Sequence, residues 1–181
     1  MSKPFSAREL AEIALGAALI CVCSWLTIPG AVPFTLQSFA ICLLAALLGL
    51  RGGLGALGLY LLLGAVGLPV FSGFRNGLGV LLGPTGGYLI GFVFTVLAVG
   101  FAAERWKDRP LALGVGMLVG MLLCYACGTA WFVVVYLRSG KAISVLGALG
   151  LCVFPFLLPD AAKCALAIVL SQRLRPILHR R

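Results

Sequence analysis

Two ionisable side chains interrupt a long apolar segment near the end of the chain. Asp160 and Lys163 are three residues apart, so in a helix they share one face and can form an ion pair. A charged group at the centre of a membrane helix costs about 2.5 to 3.5 kcal/mol on insertion scales, so it normally faces the bundle interior. Asp160 also precedes Arg173 by roughly 20 Å of helix. We therefore predict a site for a polar small molecule with an apolar body, open towards the outer side of a membrane.

A purely structural role stays open for the same pair. Pro159 followed by Asp160 is also typical of the start of a helix, where Asp160 would be the N-cap and Lys163 would neutralise it. The two roles are compatible, because a helix start that lines a cavity also offers donors and acceptors to a ligand.

Further polar candidates lie in the predicted outer loop and directly after the turn at Pro33. Arg75 offers a fixed positive charge, and Asn76 offers both a donor and an acceptor, within a glycine-rich stretch. Thr35 and Gln37 follow the turn at Pro33 and are candidates for the same site. The alternatives are a solvated loop tip for Arg75, a plain turn for Asn76, and capping of a helix for Thr35 and Gln37.

The composition places these residues in a membrane protein. Of the 181 residues, 62% are hydrophobic and 10% are charged, and the mean hydropathy is +1.14. These values lie outside the range of soluble domains. The net charge of +9 comes from residues at the ends of apolar runs, so nucleic acid is not an expected partner. The seven cysteines lie in apolar segments and the one histidine is His179, so no metal centre and no cofactor are expected.

Proline and glycine interruptions divide the apolar sequence into six predicted helices. We predict an all-α, polytopic membrane protein, with one domain over residues 1–181 and an outer loop at 69–85. The expected helices span residues 8–28, 34–50, 53–68, 86–104, 111–137 and 151–173.

The basic residues predict the orientation of this bundle. If the N-terminus is inside, three basic residues lie outside, namely Arg75, Arg138 and Lys141. An odd number of helices would remove this bias, so both termini are expected in the cytoplasm and the protein in the cell membrane. The ten basic residues expected on the inner side are Lys3, Arg8, Arg51, Arg105, Lys107, Arg109, Arg173, Arg175, Arg180 and Arg181.

The first predicted helix carries a stripe of small residues along one face. These residues are Ala7, Ala11, Ala14 and Ala18. Small residues let helices approach closely in lipid, so the stripe is expected to pack either within the chain or against a partner subunit.

Several longer motifs follow one another along the chain, namely Ile28–Pro29, Val32–Gln37, Gly64–Phe71, Leu82–Phe92 and Pro159–Lys163. With these motifs the chain resembles the BioY family, the biotin-binding S components of energy-coupling-factor (ECF) transporters. The resemblance runs from about Leu10 to Pro176, and the block from Gly83 to Phe92 is its most specific part.

This resemblance implies a six-helix bundle of the S-component type that captures biotin from the outer face. A transmembrane coupling protein and two cytoplasmic ATPases are the implied partners, because the chain itself has no P-loop. The stripe on the first helix would contact the coupling protein. The substrate-binding residues implied for this chain are Asp160, Lys163, Asn76, Arg75, Thr35, Gln37, Thr85 and Tyr88.

Three other functions compete with this interpretation. An S component for another vitamin would share the bundle. A membrane-embedded enzyme needs a nucleophile, base or metal cluster, and one Asp with one Lys provides little for that chemistry. In a purely structural subunit, only the pairing of Asp160 with Lys163 would offset the free-energy cost of placing the two charges in the membrane. We expect a transporter subunit and not an enzyme.

Overall fold

The computed structural model describes residues 5–106, 109–140 and 143–178. Lys3, Lys107, Lys141, Arg180 and Arg181 lie outside these residues. Two short strands, β1 (Thr27–Ile28) and β2 (Phe34–Thr35), form an antiparallel hairpin. The helices are α1 (Ala7–Trp25), α2 (Gln37–Ala65), α3 (Leu78–Leu81), α4 (Gly86–Arg105), α5 (Pro110–Arg138), α6 (Val145–Cys152) and α7 (Phe154–Leu178).

Helix α2 turns back on itself at Gly49. This residue has φ +71° and ψ −165°, a conformation that favours glycine. A Cβ placed on Gly16 would lie 3.0 Å from Ala56 and 3.2 Å from Leu44, although a straight helix would separate those two residues by roughly 18 Å. The arms at 37–48 and 50–65 therefore run antiparallel. The predicted helices 34–50 and 53–68 placed this turn at residues 51–52, whereas the structure has it at Gly49.

Two charged side chains hold this turn. The Glu104 carboxylate accepts a hydrogen bond from the backbone N–H of Leu50, at 2.7 Å, where the second arm begins. The Arg175 guanidinium donates to the carbonyl of Ala46, at 2.7 Å, in the last turn of the first arm. A carboxylate at a helix N-terminus and a cation at a helix C-terminus both oppose the local helix dipole, so each favours the reversal.

Small residues bring α4 and α5 into close contact. A Cβ on Gly120 would lie 2.8 Å from the Thr95 Cα, and one on Gly116 would lie 2.8 Å from the Ala102 Cβ. The Thr95 hydroxyl donates to the carbonyl of Gly120 at 3.1 Å. Close backbone approach is how helices associate in lipid, where the hydrophobic effect between them is weak.

Four helical segments of the described chain are long and apolar enough to cross a membrane. The helix predicted at 151–173 corresponds to α7, which the short α6 precedes, and the predicted outer loop contains a 3₁₀ turn and α3. Six crossings stay a prediction. The four segments are Gln37–Ala65, Gly86–Arg105, Pro110–Arg138 and Val145–Leu178.

The two ends of the bundle differ in charge. The Arg8 guanidinium donates to the carbonyl of Leu178, which brings the start of α1 and the end of α7 to the same end as the Gly49 turn. The hairpin lies at the other end, where the Trp25 indole donates to the Pro69 carbonyl at 2.9 Å. Of the described arginines, Arg75 and Arg138 lie at the hairpin end. Those at the Gly49 end are Arg8, Arg51, Arg105, Arg109, Arg173 and Arg175.

Candidate functional site

Asp160 lies inside a helix and not at its start. Helix α7 begins at Phe154, so Asp160 is in its second turn. The interpretation of Asp160 as an N-cap is therefore wrong, and its burial needs another explanation. Only 7% of the residue is exposed, and the same fraction holds for Lys163.

Three helices converge on the Asp160 carboxylate. Its Oδ1 accepts hydrogen bonds from the Lys163 ammonium, at 2.8 Å, and from the Ser38 hydroxyl, at 2.9 Å. Its Oδ2 accepts a hydrogen bond from the Tyr125 hydroxyl. Donors from α2, α5 and α7 thus satisfy a charge that would otherwise be costly to bury.

Lys163 connects α7 to the hairpin. Besides Asp160, its Nζ donates to the carbonyl of Thr35, at 2.6 Å, and to the Ser38 hydroxyl, at 3.3 Å. It also lies 3.9 Å from the centre of the Phe34 ring, a cation–π distance. An ammonium has three N–H groups, so each has an acceptor within the protein. Lys163 is placed to neutralise Asp160 and to hold β2 against it.

A cavity opens beside this pair. The space between its lining atoms is about 680 Å³, which includes space open to the outside. Its apolar wall includes Phe71, Phe92, Met121 and Phe156. Its polar lining is Thr35, Gln37, Ser38, Ser72, Arg75, Thr85, Tyr88, Tyr125, Asp160 and Lys163. A buried charged pair beside an apolar, aromatic wall suits a ligand with a polar ring or head and an apolar body.

The structure brings all of the predicted substrate-binding residues to this cavity except Asn76. That residue is exposed and does not belong to the lining. Arg75 does line the cavity, and its guanidinium donates to the carbonyl of Ser72 at 3.0 Å. The Thr35 hydroxyl also accepts from the backbone N–H of Gln37 at 3.2 Å, so Thr35 contributes to the start of α2 as well as to the site.

Sequence reasoning missed two of the groups that hold Asp160. Ser38 and Tyr125 lie within apolar helices, where a hydroxyl has no large insertion cost and gives no comparable signal. Ser38 follows the predicted Gln37 directly, which was the available indication. Tyr125 is the one tyrosine in the middle of α5, but its face could not be assigned without the packing of α5 on α4.

The alanine stripe of α1 faces outwards. Ala7, Ala11, Ala14 and Ala18 are all exposed, whereas Gly16 and Ala17 on the other face are buried against α2. Packing within the described chain therefore does not use the stripe. It is free for lipid or for another subunit.

Comparison with known families agrees with these features. The BioY family model matches residues 1–180. The chain belongs to the BioY family. It is 37% identical over 171 residues to the biotin transporter BioY of Thermotoga maritima, covering 94% of this chain and 97% of that protein. It is 38% identical over 173 residues to the biotin transporter BioY2 of Lactococcus lactis, covering 94% and 92%.

The fold of this BioY-family chain is similar to that of a solved structure. It is a crystal structure of the S-component for biotin from an ECF-type ABC transporter, with a TM-score of 0.83 and 29% identity, covering 95% of each chain. The predicted S-component fold and the predicted family are thereby confirmed. The chain is an all-α, multi-pass membrane protein, and its relatives are named as transporters rather than as enzymes.

Proposed function

We propose that this chain is the biotin-binding S component of an ECF-type transporter and that it captures biotin from the outer face of the cell membrane. The observation that carries the proposal is the buried Asp160–Lys163 pair in the lining of a partly aromatic cavity, in a chain of the BioY family. The cavity lies towards the hairpin end, which has fewer arginines than the opposite end. That bias supports an outward-facing cavity and cytoplasmic termini.

Biotin has the chemistry that this cavity requires. Its ureido ring carries two N–H donors and one carbonyl, while its thiophane ring and valeryl chain are apolar. Asp160 accepts from the ureido ring, and the aromatic wall packs on the apolar part. Lys163 neutralises Asp160 instead of binding the ureido carbonyl, since its N–H groups already have acceptors. Arg75 lines the cavity and is exposed, and in this proposal its guanidinium meets the carboxylate of biotin.

The partners in this proposal are a transmembrane coupling protein and two cytoplasmic ATPases. The exposed alanine stripe of α1 supports a close helix contact with the coupling protein. The sequence contains no P-loop, so ATP hydrolysis takes place in the partner subunits.

Two variants of the ion pair test the proposal. Asp160→Asn removes the charge but keeps the shape, and Lys163→Ala leaves a buried carboxylate without its counter-ion. We expect each to lower biotin affinity at least tenfold, in line with roughly 1.5 kcal/mol or more for a hydrogen bond to a charged group. Calorimetric titration of the purified protein in detergent measures this. Unchanged affinity in both variants, with the protein still folded, would contradict the assignment.

A further inference from the structure

The hydrogen bonds already made by Asp160 limit what it can offer to a ligand. A carboxylate has about four acceptor positions, two on each oxygen. Oδ1 accepts from Lys163 and Ser38, and Oδ2 accepts from Tyr125. One position, on Oδ2, is left for a ligand. A cyclic urea such as the ureido ring of biotin has two N–H donors, so the second donor needs another acceptor.

Gln37 supplies an acceptor of the required kind. It lines the cavity, is only 4% exposed, and directly precedes Ser38 in the first turn of α2. Its Nε2 donates to the Tyr60 hydroxyl at 3.0 Å. Its Oε1 accepts no hydrogen bond from any residue that the structure describes. Every fully buried side-chain oxygen of the described residues has a hydrogen-bond partner. Because the Gln37 Oε1 has no such partner, it is not fully buried. The open space that Gln37 lines is the cavity, so Oε1 is accessible from there.

Two buried hydroxyls fix which end of the Gln37 amide faces the ligand. The Tyr60 hydroxyl donates to the Ser24 hydroxyl at 3.2 Å, and its own oxygen therefore accepts from Gln37. Both Tyr60 and Ser24 are fully buried, so water does not compete for these hydrogen bonds. The relay Ser24–Tyr60–Gln37 directs the NH₂ group away from the cavity and leaves the carbonyl oxygen facing it.

We infer that Gln37 is the second ureido acceptor and that the Ser24–Tyr60 relay is the positioning element that makes it an acceptor. The inference rests on the proposed function. Asp160 and Gln37 each accept one N–H of the cyclic urea, so the site selects ligands that carry two such donors. A ligand with only one N–H leaves one buried acceptor without a partner, which is the usual origin of strong polar discrimination.

The test uses biotin and the two lactam analogues in which one ureido N–H is replaced by CH₂. Gln37→Met keeps the length and volume of the side chain but removes the amide, and Gln172→Met on the exposed face of α7 is the matched control. We expect Gln37→Met to lower biotin affinity about tenfold. One of the two analogues lacks the N–H group that Gln37 would accept. For that analogue we expect Gln37→Met to cause no further loss of affinity. Gln172→Met leaves all three affinities unchanged.

Tyr60→Phe tests the relay separately. It keeps the ring packing but removes the acceptor for the Gln37 NH₂ group. We expect biotin affinity to fall about threefold, with a smaller effect of Gln37→Met in this background than in the wild-type protein. The inference would be overturned if Gln37→Met lowered the affinities for biotin and both analogues equally, or lowered none of them. Binding of biotin by the wild-type protein would in that case still support the proposed function. Failure of the wild-type protein to bind biotin would overturn both.

Discussion

At the scale of residues, the site depends on a few side chains that stabilise a buried charge. Asp160 has three donors from three helices, and one of them, Lys163, carries the opposite charge. Ser38 is central to this arrangement because its hydroxyl donates to Asp160 and accepts from Lys163. Removing it leaves two charged groups each short of one hydrogen bond.

We therefore expect Ser38→Ala to destabilise the protein. A hydrogen bond to a charged group contributes about 1.5 to 3 kcal/mol, so the loss is of that order. Ser139→Ala is the control, since Ser139 is exposed and its hydroxyl donates only to the carbonyl of Tyr136. Thermal unfolding in detergent measures both. Equal shifts for the two variants would show that Ser38 has no special role.

The sequence alone was enough to find the charged part of the site but not its supporting groups. Asp160 and Lys163 were found because a charge in an apolar helix needs a reason. Ser38 and Tyr125 give no such signal, and only the contact of α2, α5 and α7 reveals them. Asn76, chosen from its loop and the family resemblance, is exposed and outside the cavity lining.

At the scale of elements, the reversal in α2 places the first arm, with Gln37 and Ser38, against α7. The predicted helices 34–50 and 53–68 placed a break at residues 51–52. The structure has the reversal two to three residues earlier, at Gly49. The position depends on Gly49, whose positive φ becomes apparent only once Glu104 and Arg175 are known to hold the two arms.

We expect Gly49→Ala to destabilise the bundle. An alanine would have to adopt φ +71°, and its Cβ would lie 2.6 Å from the Glu104 Oε1. Strain of this kind costs about 1 to 3 kcal/mol. Gly58→Ala, in the second arm, is the control because a Cβ there meets nothing within 4 Å. A helix-favouring alanine at that position should leave the unfolding temperature unchanged or raise it. A fall of the same size at both positions would rule out the proposed role of the turn.

The stripe on α1 leads to a different kind of prediction. Ala14→Leu combined with Ala18→Leu enlarges an exposed face that the chain itself does not use, so biotin binding should be unchanged. Co-purification with the coupling protein and ATPases should fall, because the helices can no longer approach closely. Ala126→Leu, exposed on α5, is the control. Normal co-purification of the double variant would assign the stripe to lipid instead.

At the scale of the whole molecule, membrane location and fold class followed from composition, and the motif blocks led to the family. The even number of crossings was inferred from the charge bias, and the described arginines show the same bias between the two ends of the bundle. The short α6 and α3 were not foreseen. Short helices in apolar sequence have no length or charge signal that separates them from the neighbouring spans.

The cavity as a whole supports one class of ligand. It joins a neutralised acceptor cluster to an apolar wall, and it opens at the end of the bundle that carries the hairpin. Riboflavin, thiamine and folate differ from biotin in size and in the arrangement of their donors. If the site binds the ureido ring as we propose, it should discriminate against all three.

The most direct test of this account is calorimetric titration of the purified wild-type protein in detergent with biotin, riboflavin, thiamine and folate in turn. We expect saturable binding of biotin, with one molecule per chain, and no detectable binding of the other three vitamins. Tighter binding of another vitamin, or no binding of biotin by the folded protein, would contradict it.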